Sequence, residues 1–103
     1  MSVQKDERLK ALVQRTVREL LAIDEIAHGE VIHGQCKRIA TDIGNMLAPQ
    51  LYDSRIHGVN NAVSAVIRSC SEALFWLDLS GVKPESCMKA VSELREMLAS
   101  PQL

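Results

Sequence analysis

The apolar positions of this chain recur at three- and four-residue steps in four successive blocks. Leu9, Leu12, Val13, Thr16, Leu20, Ile23 and Ala27 fall on one side of a 3.6-residue helix, and Val17 and Leu21 widen that stripe. The spacing predicts a first helix from about Val3 to about Ala27. Asp6 and Glu7 lie near its start, where the helix dipole favours acids, and His28-Gly29 reads as its stop. Ile32, Cys36, Ile39, Ala40, Ile43, Met46 and Leu47 predict a second helix from about Glu30 to about Leu47. Gly34 and Gly44 fall inside it, each at a cost of about 1 kcal/mol relative to alanine. They mark either a close approach of another backbone or a weak point of the helix. Pro49 is expected to close the segment, because the residue before a proline avoids helical geometry.

Residues 50–53 read as a loop, with Ser54 or Asp53 as the next N-cap. A third helix is expected to run to about Leu79 on the stripe Ile56, Val59, Val63, Val66, Ile67, Cys70, Leu74 and Leu77. Gly81 suits its C-terminal end. Pro84 suits the first turn of a fourth helix, whose stripe is Cys87, Val91, Leu94 and Leu98, flanked by Ala90 and Met97; Pro101 ends it. No segment alternates with a period of two, and no internal repeat is visible. The expectation is one all-α domain over residues 1–103, a four-helix bundle of antiparallel helices joined by short connections. If Gly29 were bridged, Val3 to Leu47 would be one long helix, and the alternative would be a helical hairpin forming a dimeric bundle.

Composition narrows the function classes. Apolar residues make up 47% of the chain but aromatics only 3%, so the core is built from aliphatic side chains, which suits packed helices. With 12 basic and 13 acidic residues the net charge is −1, and neither half carries a long block of one sign. Nucleic-acid binding draws most of its affinity from phosphate neutralisation, so no nucleic-acid partner is expected. No apolar run approaches the ~18 residues of a membrane span, and no membrane association is expected. Met1 to Lys10 is polar and mixed in charge, unlike a signal peptide. The three cysteines, Cys36, Cys70 and Cys87, are odd in number, far apart and placed on helix stripes. They read as free, buried thiols of a cytoplasmic protein.

Catalytic signatures are absent: there is no nucleophile elbow, no phosphate-cradling glycine loop and no paired histidine–glutamate helix motif. The chain is read as a non-enzyme with no catalytic residue, no metal and no cofactor. His28, His33 and Cys36 make a loose trio, but zinc sites supply four ligands at defined spacing. His33, followed by Lys37 and Gly44, resembles the histidine segment of phosphotransfer domains, which are small four-helix bundles. That resemblance implies phosphorylation at His33. The sequence departs from the family in placing Cys36 three residues after the histidine and Arg38 after Lys37. The stretch from His28 to Gly81, with Glu72-Ala73 followed closely by Trp76, is similar to a phage family of small helical proteins that sequester cyclic nucleotides. It implies a ligand-binding helical oligomer, although Pro49 and Trp76 lie farther apart than in that family.

One feature of the third helix goes beyond a bundle core. Ala73 to Leu79 is apolar almost throughout, and at 100° per residue it covers nearly the whole circumference. Leu74 and Leu77 belong to the stripe. Phe75 points about 150° from its centre, and Leu79 leans the same way. Trp76 lies off the other flank, beside the small residues Ala62, Ala65, Ser69 and Ala73. Phe75, Trp76 and Leu79, rimmed by Arg68 and Glu72, are therefore the candidate interface, with Leu51 and Tyr52 as possible additions. The expected function is that of a small helical adaptor, inhibitor or regulator acting through a protein–protein surface, with a homodimer as its simplest form.

Overall fold

The computed structural model describes residues 3–53 and 60–100, and every element in them is helical. α1 spans Val3–Leu21, α2 Glu25–His28, α3 Glu30–Tyr52, α4 Asn60–Leu79 and α5 Glu85–Ala99. The molecule measures 41 × 21 × 20 Å. The 23 residues of α3 extend about 35 Å at 1.5 Å per residue, so the long helices lie along the long dimension. α1 packs against α3 and α5, and α4 packs against the same two helices, while α2 rests on α3.

The predicted stripes supply the core. Leu12, Val13, Thr16, Leu20 and Ile23 from the first block are buried, as are Cys36, Ile39, Ala40, Ile43 and Leu47 from the second. Val66, Cys70 and Leu77 come from α4, and Cys87, Val91 and Leu94 from α5. Ala73, which the pattern placed on a flank, is fully buried beside them. Thr16 reaches the core because its hydroxyl donates to the carbonyl of Ala90 at 3.3 Å. A buried hydroxyl without such a partner would be costly.

Two predicted boundaries are corrected. The first helix ends at Leu21, not near Ala27. Ile23 still enters the core from the extended link that follows, and Asp24 caps a separate turn by accepting from the Ala27 amide at 3.3 Å. Gly29 then adopts φ +94°, a conformation that other residues rarely take. The chain therefore breaks between α1 and α3, and a single helix from Val3 to Leu47 is excluded. The second correction concerns Pro49, which lies inside α3 instead of ending it. Proline deletes one helical hydrogen bond near the C-terminal turn. That turn is held from outside. Tyr52 accepts from Gln14 Nε2 at 2.8 Å, and the Lys10 ammonium sits 4.4 Å from the centre of its ring. Residues 50–52 are thus helical. The predicted contributions of Ser54, Ile56, Val59 and Pro101 lie outside the described residues.

Candidate functional site

The inner face of α4 is fixed by Val66, Cys70, Ala73 and Leu77, all fully enclosed. Phe75 stands nearly opposite that face at 100° per residue, and 59% of it is exposed. Leu79, one turn on, is 57% exposed. Trp76 lies on the flank toward α3. It is half-buried, packs against the core and meets the Phe75 ring edge-on, with centroids 5.2 Å apart and planes at 82°. The sequence grouped Trp76 with the surface residues, whereas the structure makes it the support beneath them. Of the two rim residues, Arg68 is exposed two turns below Phe75 and makes no ion pair among the described residues. Glu72 accepts from Arg38 of α3 at 2.6 Å, and Arg38 also holds Asp42 at 3.1 Å.

The Arg38–Glu72 contact fixes the register between α3 and α4. Two turns toward the start of α3 lies Val31, and two turns toward the end of α4 lies Leu79. Val31 is 61% exposed. Val82, in the α4–α5 connection, and Ile26, on α2, are more exposed still. Polar contacts gather these segments at one end of the molecule. Ser80 Oγ donates to the Val82 carbonyl at 2.8 Å. Having spent its proton there, it accepts from His28 Nδ1 at 2.7 Å, which ties α2 to the α4–α5 connection. His33 Nδ1 donates to the Ile23 carbonyl at 2.8 Å and fastens the α1–α2 link to α3. Ser86 at the start of α5 donates to Glu19 near the end of α1 at 2.9 Å.

The result is an end of the molecule on which Phe75, Leu79, Val82, Val31 and Ile26 are exposed among charged residues, on elements that a polar network holds in place. Sequence reasoning found Phe75 and Leu79 but missed Ile26, Val31 and Val82. Their only signal was an apolar residue off the stripe or beside a helix stop. Leu51 and Tyr52 do not join this surface, because Tyr52 is engaged by Gln14 and Lys10 of α1.

The loose His–Cys trio is not gathered into a site. His28 and His33 have the separate partners just described, and Cys36 is enclosed in the core. No group of three His, Cys, Asp or Glu side chains able to hold a metal occurs among the described residues. All three thiols are free and buried. Burial pushes Cys36 and Cys70 up to about 11. Cys87 is pushed to about 12, mainly by burial, with Cys36 and Glu19 adding to it. Such thiols are poor nucleophiles. No described helix is long and apolar enough to cross a membrane. No family model matches the chain, and neither a curated protein nor a solved structure matches it.

Proposed function

We propose that this chain is a non-enzymatic helical interaction protein that acts through the exposed apolar side chains of Phe75, Leu79 and Val31. Its simplest assembly is a homodimer, and its compartment is the cytoplasm. The observation that carries the reading is the exposure of Phe75 and Leu79 directly behind a complete core face. Large side chains left in water forgo about 25 cal/mol per Å² of apolar surface. An aromatic centre with a charged rim, here Arg68, Glu72 and Asp78, is the anatomy of a contact surface.

In this reading the four long helices form an antiparallel four-helix bundle. The side-chain pairs that support it run in opposite order. Arg15 meets Glu93 while Glu19 meets Ser86, and Ser71 of α4 meets Arg95 of α5 while a short connection joins the end of α4 to the start of α5. Sedimentation equilibrium tests the function. Wild type should show a concentration-dependent dimer, and Phe75→Glu should be monomeric with unchanged helical content. A wild type that stays monomeric at every accessible concentration, or a Phe75→Glu chain that unfolds, rejects the homodimer.

Phosphotransfer through His33 is a second reading with one supporting observation. Donation from Nδ1 to the Ile23 carbonyl leaves Nε2 as the basic nitrogen of the ring. Its test is labelling by acetyl phosphate: acid-labile phosphate on wild type and none on His33→Ala would displace the interaction reading.

A further inference from the structure

Each of the four seams between long helices is joined by paired polar groups. The α3–α4 seam has Arg38 with Glu72, the α1–α5 seam Arg15 with Glu93, and the α4–α5 seam Arg95 with Ser71. In the α1–α3 seam the pair is Gln14 with Tyr52, at one end only. This seam opens into a hollow of about 370 Å³ whose floor is Val13, Val17, Gly44, Ala48 and Leu51. Tyr52 and Gln14, hydrogen-bonded to each other, close one end, and Arg18 stands at the rim. A Cβ added to Gly44 would meet nothing within 4 Å. No neighbouring backbone therefore requires a glycine there, and the missing side chain simply makes the space.

The charged side chain in the lining of this hollow is Arg18. Arg18 makes no side-chain ion pair or hydrogen bond among the described residues. Lys37, two turns from Gly44 on the same face, makes none either, and Lys10 rests on the Tyr52 ring. Between Lys10 and Leu21 the only acid of α1 is Glu19, which turns to Ser86 of α5. Between Lys37 and Tyr52 the only acid of α3 is Asp42, which Arg38 holds.

We infer that this hollow binds an amphipathic anion, a single aliphatic chain ending in a carboxylate, with the chain along Val17, Gly44 and Ala48 and the carboxylate at Arg18. The volume lies within the ~300–1,000 Å³ of small-molecule sites. From Leu51 to Gly44 the floor runs about 10 Å along α3, enough for a medium-length alkyl chain. The floor is aliphatic, and the ring of Tyr52 at its end already carries the Lys10 ammonium, which favours an alkyl chain over a stacked planar base. The site is separate from the Phe75 surface and does not depend on it.

Decanoate, kept below its micelle-forming concentration, is the probe. Amide resonances of Val17, Gly44 and Ala48 should shift and saturate at one equivalent. Arg18→Gln should weaken binding about tenfold, the scale of one charge-assisted contact. Gly44→Leu should fill the hollow and abolish binding while the protein melts no lower than wild type, because leucine is the better helix former. Decanol, with the same chain and no charge, should bind at least tenfold more weakly than decanoate. Shifts that never saturate, equal binding to wild type and Gly44→Leu, or decanol binding as tightly as decanoate would each overturn the assignment.

Discussion

Along α4, Val66, Cys70, Ala73 and Leu77 are fully enclosed, whereas Phe75 and Leu79, two residues from Leu77 on either side, keep more than half of their surface in water. Both sets of side chains are apolar, so the hydrophobicity of the single residue does not tell them apart. The inner face has complementary surfaces from α3 and α5 to fill. On the outer face the Phe75 ring meets Trp76 edge-on and is otherwise open to water. A residue on the first should govern stability, and a residue on the second should govern association. Substitutions on the two faces can therefore separate the two roles.

The largest effect is expected at Leu77. Leu77→Ala should leave a cavity and destabilise the fold by about 2–5 kcal/mol in urea unfolding, with the association state of the surviving native protein unchanged. If Leu77→Ala instead altered association at little cost in stability, the two faces would have been assigned the wrong way round.

Cys70→Ser should come next, at about 1–3 kcal/mol, because it buries a hydroxyl with no assured partner. The thiols also make a pH prediction. Each is held protonated in the native state, with its ionisation pushed from 9.0 to about 11 for Cys36 and Cys70 and to about 12 for Cys87. Above pH 9 the unfolded chain releases these protons and the native chain does not. The contribution is present in full below about pH 9 and is lost as pH rises through 11 to 12. Unfolding free energies between pH 8 and 11 should fall less steeply for Cys36→Ala and Cys87→Ala than for wild type. Equal slopes would mean that the thiols are not sequestered.

His33→Ala should cost less, about 1 kcal/mol, since it removes one hydrogen bond from a half-buried position beside the core. Its effect should be local: faster amide exchange around Ile23 and Asp24, with the Leu77 amide unaffected. Uniformly faster exchange would show that this link is part of the global fold.

The core was largely legible in the sequence because burial follows helical periodicity: the middle of each stripe is enclosed, while Leu9, Ile32, Met46, Leu74 and Leu98 are partly buried and Ala27, at the end of the first stripe, is exposed. The helix ends were less legible because they depend on distant partners. Pro49 reads locally as a stop, yet Gln14 and Lys10 keep the turn beyond it in place. Asp24 carries an N-cap signal, but the stripe running on to Ile23 and Ala27 masked the break before it. Phe75 and Leu79 could be found because they violate the stripe. Ile26, Val31 and Val82 could not, because their common location arises only when His28 reaches Ser80 and Arg38 reaches Glu72. The hollow at Gly44 was also hidden, since a glycine that admits a neighbour and one that leaves a space look the same in a sequence.

The central claim is that the outer face of α4 becomes covered when the chain associates. Hydroxyl-radical footprinting across a range of protein concentrations tests it directly, with Tyr52 as the internal comparison because it is similarly exposed but lies on the α1–α3 seam. As concentration rises, oxidation of Phe75 and Leu79 should fall severalfold together, while oxidation of Tyr52 stays constant and Leu77 stays unreactive throughout. Oxidation of Phe75 that does not depend on concentration, or protection that appears at Tyr52 instead, would contradict it.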